Sequence, residues 1–179
     1  PFDPTDGMLG AVVEIAPSLE SGPDDGEIEA ELVPREIVAN LTADGSTALR
    51  AYAPARPVRV GEDFYVDLWF DNPRRLPVDR INVHLAFDPD ILDAVDEDED
   101  NWIVSGLNIL DGPFRAAYPF DMHSVNRAYN GLGEVYYGVG LQEAARLPRG
   151  GVFARIRFRP RTAGDARVEF LMESSAAMF

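Results

Sequence analysis

The sequence predicts an all-β protein, an antiparallel β-sandwich carrying an extended acidic N-terminal arm. Three observations predict it. Several short segments alternate apolar and polar residues with a period of two, which places one face in a core and the other in water. Gly and Pro fall between these segments, at Gly61, Pro73, Pro77, Pro89, Gly131, Gly133, Gly150, Gly151, Pro160 and Gly164. No convincing amphipathic helix lies between them, as a parallel α/β sheet would need.

The arm comes first, as residues 1–45, and the sandwich follows as residues 46–179. Acidic residues crowd the arm (Asp3, Asp6, Glu14, Glu20, Asp24, Asp25, Glu27, Glu29, Glu31, Glu36) against the single Arg35. Met8 to Ile15 and Ile28 to Val33 can each form a short strand. A helix competes for Glu27 to Leu32, because Glu, Ala and Leu favour it, and Pro34 ends either. Ser21 to Gly26 has the composition of a turn or linker. Such an arm either packs on something or links.

From Arg35 onward the pattern is β. Ile37 to Leu41 and Ala48 to Tyr52 flank Asp44-Gly45, a pair suited to a type I′ hairpin turn. In Phe64 to Asp71 the even positions are apolar and the odd ones are Tyr65, Asp67, Trp69 and Asp71. Ile81, Val83, Leu85 and Phe87 repeat the alternation, with Arg80, Asn82, His84 and Ala86 opposite. Val135, Tyr137 and Val139 follow. Val152, Ala154, Ile156 and Phe158 are expected inward, which turns Arg155 and Arg157 towards solvent or a partner. Val168 and Phe170 close the series.

In order and spacing, residues 47 to 172 resemble a cohesin module. The first matching piece is Val60-Gly61-Glu62-Asp63-Phe64-Tyr65-Val66-Asp67-Leu68, like the family's Gly-Asp turn into an early strand. The second is Val83-His84-Leu85-Ala86-Phe87-Asp88-Pro89-Asp90-Ile91-Leu92, like its aromatic-Asp-Pro-x-x-Leu signature. The third is Gly150 to Phe158 with Gly164 and Val168-Glu169-Phe170, like its final strands. The resemblance implies a nine-stranded jelly roll that binds protein through one flat sheet face, in a bacterial cell-surface, periplasmic or secreted assembly. In cohesins the strand before the aromatic-Asp-Pro signature carries polar residues that contact dockerin. Here those positions are Arg80, Asn82 and His84 in place of the usual Asn-x-Asp pair, so the resemblance implies a protein-binding face more directly than a dockerin partner.

Composition narrows the function. A formal net charge of −15 repels phosphate backbones and anionic membrane surfaces. All 16 basic residues are Arg, which a GC-rich genome explains. With no Cys there is no disulfide framework, thiolate nucleophile or Cys-ligated metal. The apolar stretch Met8 to Val13 stops at Glu14, far short of the roughly 20 residues of a spanning helix. The chain opens at Pro1 without an initiator Met, so a processed or trimmed product is expected, with room for a removed signal or anchor.

Asp96-Glu97-Asp98-Glu99-Asp100-Asn101 can converge oxygens on calcium, with Asp96, Asp98, Asp100 and Asn101 as ligands, in the manner of the first half of an EF-hand loop. The twelfth position is Leu107 rather than Glu, and a solvated acidic loop is the simpler reading. No other cofactor is expected. His84, on a sheet face, and His123, in a loop, are too few for zinc without Cys. Ser124 next to His123 is not a catalytic pattern, and no Gly-x-Ser-x-Gly elbow occurs. Asn130-Gly131-Leu132-Gly133 lacks the setting of a nucleotide loop, and the Asn40-Leu41-Thr42 sequon carries no weight in a bacterial chain.

The expectation is therefore a non-catalytic protein-interaction or structural module, an extracytoplasmic scaffold or accessory subunit of a larger envelope or cell-surface complex. Its partner-facing residues are Tyr65, Trp69, Arg80, Asn82, His84, Arg155 and Arg157, and its partner is protein. Two alternatives stand beside it: a carbohydrate-binding module using Tyr65, Trp69 or Trp102, and a hydrolase with dispersed carboxylates.

Overall fold

The structure is a computed structural model and describes residues 10–16, 35–40, 47–96, 110–111, 120, 122–141, 150–171 and 175–177. Among them run β1 (Gly10–Ala16), β2 (Arg35–Asn40), β3 (Ala48–Ala53), β4 (Val58–Arg59), β5 (Phe64–Asp71), β6 (Arg80–Phe87) and β7 (Leu92–Ala94). Then come β8 (Leu110–Asp111), β9 (Met122–Tyr129), β10 (Glu134–Gly140), β11 (Gly150–Pro160), β12 (Gly164–Phe170) and β13 (Ser175–Ala177). No described element is a helix long and apolar enough to cross a membrane.

The strands form two sheets. One has the order β4-β1-β12-β6-β10-β9, with β13 also on β6; the other has the order β2-β3-β5-β11-β7, with β8 also on β11. Every pairing among the described residues is antiparallel except β1 with β4. The period-two alternation explains how they face. Phe64, Val66, Leu68 and Phe70 of β5 are buried, as are Ile81, Val83, Leu85 and Phe87 of β6. Phe158 joins the layers: it stacks on Phe64 at 5.8 Å and meets Phe87 of the facing sheet edge-on at 5.2 Å. Burying each such ring contributes about 1.5–3 kcal/mol.

Three places depart from the alternation or from simple hairpins. Residues 1–45 supply strands to both sheets, since β1 pairs with β12 and β2 with β3. Ile28 to Val33 and the Asp44-Gly45 turn lie outside the described residues. In β11 the register slips between Val152 and Ala154. Phe153 thereby packs inward as well, at 6.0 Å from Tyr137, while Val152, also buried, pairs with Trp69. Finally, His123 belongs to β9 rather than to a loop.

Two loops fix the end of the sandwich. The Asp88 carbonyl accepts from the N–H of Leu92 at 2.9 Å, and its carboxylate accepts from the N–H of Asp90 at 3.0 Å. This caps the turn before Pro89 and returns Leu92 to the core. At the tip of the β9–β10 hairpin, Gly133 has φ +67° and its absent Cβ would lie 2.2 Å from the Phe87 carbonyl oxygen. Only glycine fits there. Beside it, the Asn130 amide accepts from the Ala94 N–H at 2.8 Å and donates to the Ala94 carbonyl at 3.0 Å, clasping one sheet to the other.

Candidate functional site

The seven residues expected to face a partner divide between the two outer faces of the sandwich. Tyr65, Trp69, Arg155 and Arg157 share the six-stranded sheet; Arg80, Asn82 and His84 share the seven-stranded one.

On the six-stranded sheet the charges are turned on each other. Arg155 grips Asp67 through Nε at 3.0 Å and a terminal nitrogen at 3.3 Å, and its guanidinium lies 5.0 Å from the Tyr65 ring centroid. Arg157 and Arg159 both donate to Asp63, at 2.8 Å and 2.6 Å, and Arg50 reaches Asp71 at 3.4 Å. The hydrogen bonds from Arg159 and then Arg157 hold the Asp63 carboxyl below the usual carboxylate range, against the opposing push of partial burial. Tyr65 is 39% exposed but has Arg155 over its ring. Trp69 is half-buried, edge-on to Tyr52 at 6.2 Å. Arg155 and Arg157, expected to turn to solvent or a partner, are thus engaged within the sheet.

The seven-stranded sheet is built differently. Arg80, Asn82 and His84 point outward because Ile81, Val83 and Leu85 between them are buried. His84 stacks on Tyr136 at 4.1 Å, with its Nε2 3.7 Å from Glu134 Oε2, and the Tyr136 hydroxyl donates to that same oxygen at 2.6 Å. Tyr129 meets Tyr136 edge-on at 5.9 Å. This end of the face is a packed aromatic and acidic cluster.

The Arg80 end is open. A register shift opposite Gly138 and Val139 leaves Ser124 as an extra residue in β9. The Ser124 hydroxyl swings over Gly138, whose Cβ would meet it at 2.2 Å and Asn82 Oδ1 at 3.1 Å. A Cβ on Gly140 would lie 3.5 Å from the end of the Met122 side chain. Beside them lies a hollow of about 280 Å³ lined by Arg80, Asn82, Met122, His123, Ser124, Val139 and Gly140. Arg80 is exposed and forms no ion pair among the described residues, and Met122 is 42% exposed.

Sequence reasoning missed Met122, Ser124, Gly138 and Gly140. Two glycines inside one strand are the signal that points to them, because glycine in a strand interior marks a bulge or a close approach. Of the calcium candidates, Asp96 is half-buried, while Asp98, Asp100 and Asn101 lie outside the described residues, as does Trp102. Among the described residues no group of three His, Asp or Glu could hold a metal.

No protein-family model and no curated protein matches the chain. Solved structures do match it. They are cohesin modules. The third cohesin ScaC of Acetivibrio cellulolyticus, solved in complex with the ScaB dockerin, is 18% identical, with a TM-score of 0.49 over 66% of this chain and 77% of that one. A type II cohesin domain from the cellulosome of the same organism is 12% identical, with a TM-score of 0.47 over 63% and 67%. The Clostridium thermocellum Coh-OlpC–Doc435 complex, a type I cohesin–dockerin complex, gives 16% identity and a TM-score of 0.46 over 66% and 74%.

Proposed function

We propose that the chain is a non-catalytic protein-interaction module that docks a protein partner on the outer face of its seven-stranded sheet, around β6, β10 and β9. One observation carries the reading: this face has a hollow beside an exposed Met122 and an Arg80 that forms no ion pair among the described residues, whereas Arg155 and Arg157 on the opposite face pair with Asp67 and Asp63. Arg, Met and Tyr are the side chains enriched in protein interfaces, and an accessible Arg beside an apolar side chain is a ready anchor. The position agrees with the resemblance of residues 47 to 172 to cohesins, whose corresponding strand carries the partner contacts. An extracytoplasmic scaffold or accessory subunit of a larger envelope or cell-surface complex is the setting that fits such a module.

Site-specific photo-crosslinking tests it. With the photo-reactive residue replacing Met122, the protein should capture a defined partner in its native envelope fraction. With the same residue replacing Tyr65, on the opposite face, it should not. Capture through position 65 alone overturns the assignment.

A further inference from the structure

We propose that the hollow beside Arg80 and Gly140 is an anchor pocket for a carboxylate, the Asp or Glu side chain of the docked protein partner. This rests on the docking-face reading above and adds the chemistry that the face recognises.

The donor set points to that ligand. A guanidinium presents a planar fork of N–H donors that matches a carboxylate in two parallel hydrogen bonds. In this chain 31 acidic residues face 16 Arg, so an Arg has carboxylates in excess to choose from. Arg50, Arg155, Arg157, Arg159 and Arg161 each have one. Arg80, like Arg59, Arg75 and Arg167, has none among the described residues, and of these four it alone lines the hollow, although Asp79 precedes it in the chain. The Asp79 carboxylate instead keeps a buried Oδ1 with no hydrogen bond. An open guanidinium at the hollow is one that a partner's carboxylate can fill.

The rest of the hollow suits the same guest. The bulge in β9 lifts the Ser124 hydroxyl over Gly138, and the Asn82 amide flanks it from β6, so a hydroxyl and an amide line the hollow together with Arg80. Both polar groups occupy space that a side chain at position 138 would fill. The volume of about 280 Å³ has room for one inserted acidic side chain. The Met122 side chain, lying over Gly140, offers an apolar wall to the methylenes of that side chain. A single cation on a chain of net charge −15 favours a monoanion over a phosphate or a polyanion.

The test uses the full chain, ¹⁵N-labelled, titrated with N-acetyl-glutamate N-methylamide and separately with its glutamine counterpart. The glutamate compound should shift the Arg80 Nε–H and the backbone amides of Asn82 and Ser124 saturably. The glutamine compound should bind about three- to tenfold more weakly. Arg80→Gln should abolish the response, and Arg155→Gln, on the other face, should keep it; thermal melts confirm that both variants fold. Equal binding of the two compounds, or an undiminished response in Arg80→Gln, overturns the anchor. The two readings fail separately. Full-yield crosslinking through position 122 in Arg80→Gln keeps the docking face and rejects the anchor, whereas capture only through position 65 rejects both.

Discussion

Replacing Asn130 with alanine should loosen the joint between the two sheets. β7 pairs with β11 on one side, where the Val95 N–H donates to the Arg157 carbonyl at 2.8 Å. The N–H and C=O of Ala94 turn the other way, and the Asn130 amide meets both, at 2.8 Å and 3.0 Å. Ala94 is 3% exposed, so water replaces the lost amide poorly. A buried donor or acceptor stripped of its partner costs about 1–3 kcal/mol. Asn130 itself is half-buried, which favours the lower end for each group, so Asn130→Ala should lose about 2–3 kcal/mol. For a chain of this size that lowers the melting temperature by about 5–10 °C. Asn130→Asp should also be less stable than the parent, because a carboxylate oxygen replaces the donor that faces the Ala94 carbonyl. Urea unfolding followed by circular dichroism measures both. A loss below about 0.5 kcal/mol for Asn130→Ala, or an aspartate variant as stable as the parent, would refute the clasp.

Other substitutions probe the core, the hairpin tip and the charged face. Phe158→Ala removes a fully buried ring that touches both Phe64 and Phe87 and should cost about 3–5 kcal/mol by chemical denaturation; a loss under about 1 kcal/mol would contradict its place between the sheets. Gly133→Ala should lose more than about 1 kcal/mol, because it forces a left-handed φ and drives a methyl into the Phe87 carbonyl; an unchanged melt would contradict that approach. Asp63→Asn tests the ion pairs. A carboxyl held below its unfolded pKa contributes stability above that value and loses it as pH falls through the folded one. The variant should therefore be less stable than the parent at neutral pH, with the gap closing as pH drops below about 4. A gap that persists in acid would contradict the roles of Arg159 and Arg157.

The strands β5 and β6 were legible because their side chains alternate without interruption between core and surface. β9 was not, because Met122, His123 and Ser124 are exposed in succession and only Ala128 of its eight residues is buried. The bulge in β11 escaped for a related reason: Val152, Phe153 and Ala154 are all apolar, so hydrophobicity alone cannot say where the register slips. The expected partner-facing residues were outward within their own strands, yet they lie on opposite sides of the molecule. Which sheet a strand joins is settled by non-local pairing, and period-two alternation carries no information about it. Arg155 and Asp67 are 88 positions apart in the chain, so their pairing is likewise visible only in the fold. The Arg80 hollow brings residues of β6, β9 and β10 together beside a bulge in β9, and a pattern read along single strands overlooks it.

Hydroxyl-radical footprinting of the protein, free and with its crosslink-identified partner bound, tests the docking face most directly, because it reads side-chain exposure residue by residue. Oxidation of Met122 should fall sharply on binding while that of Tyr65 stays the same. Protection of Tyr65 with Met122 still fully reactive would contradict the account.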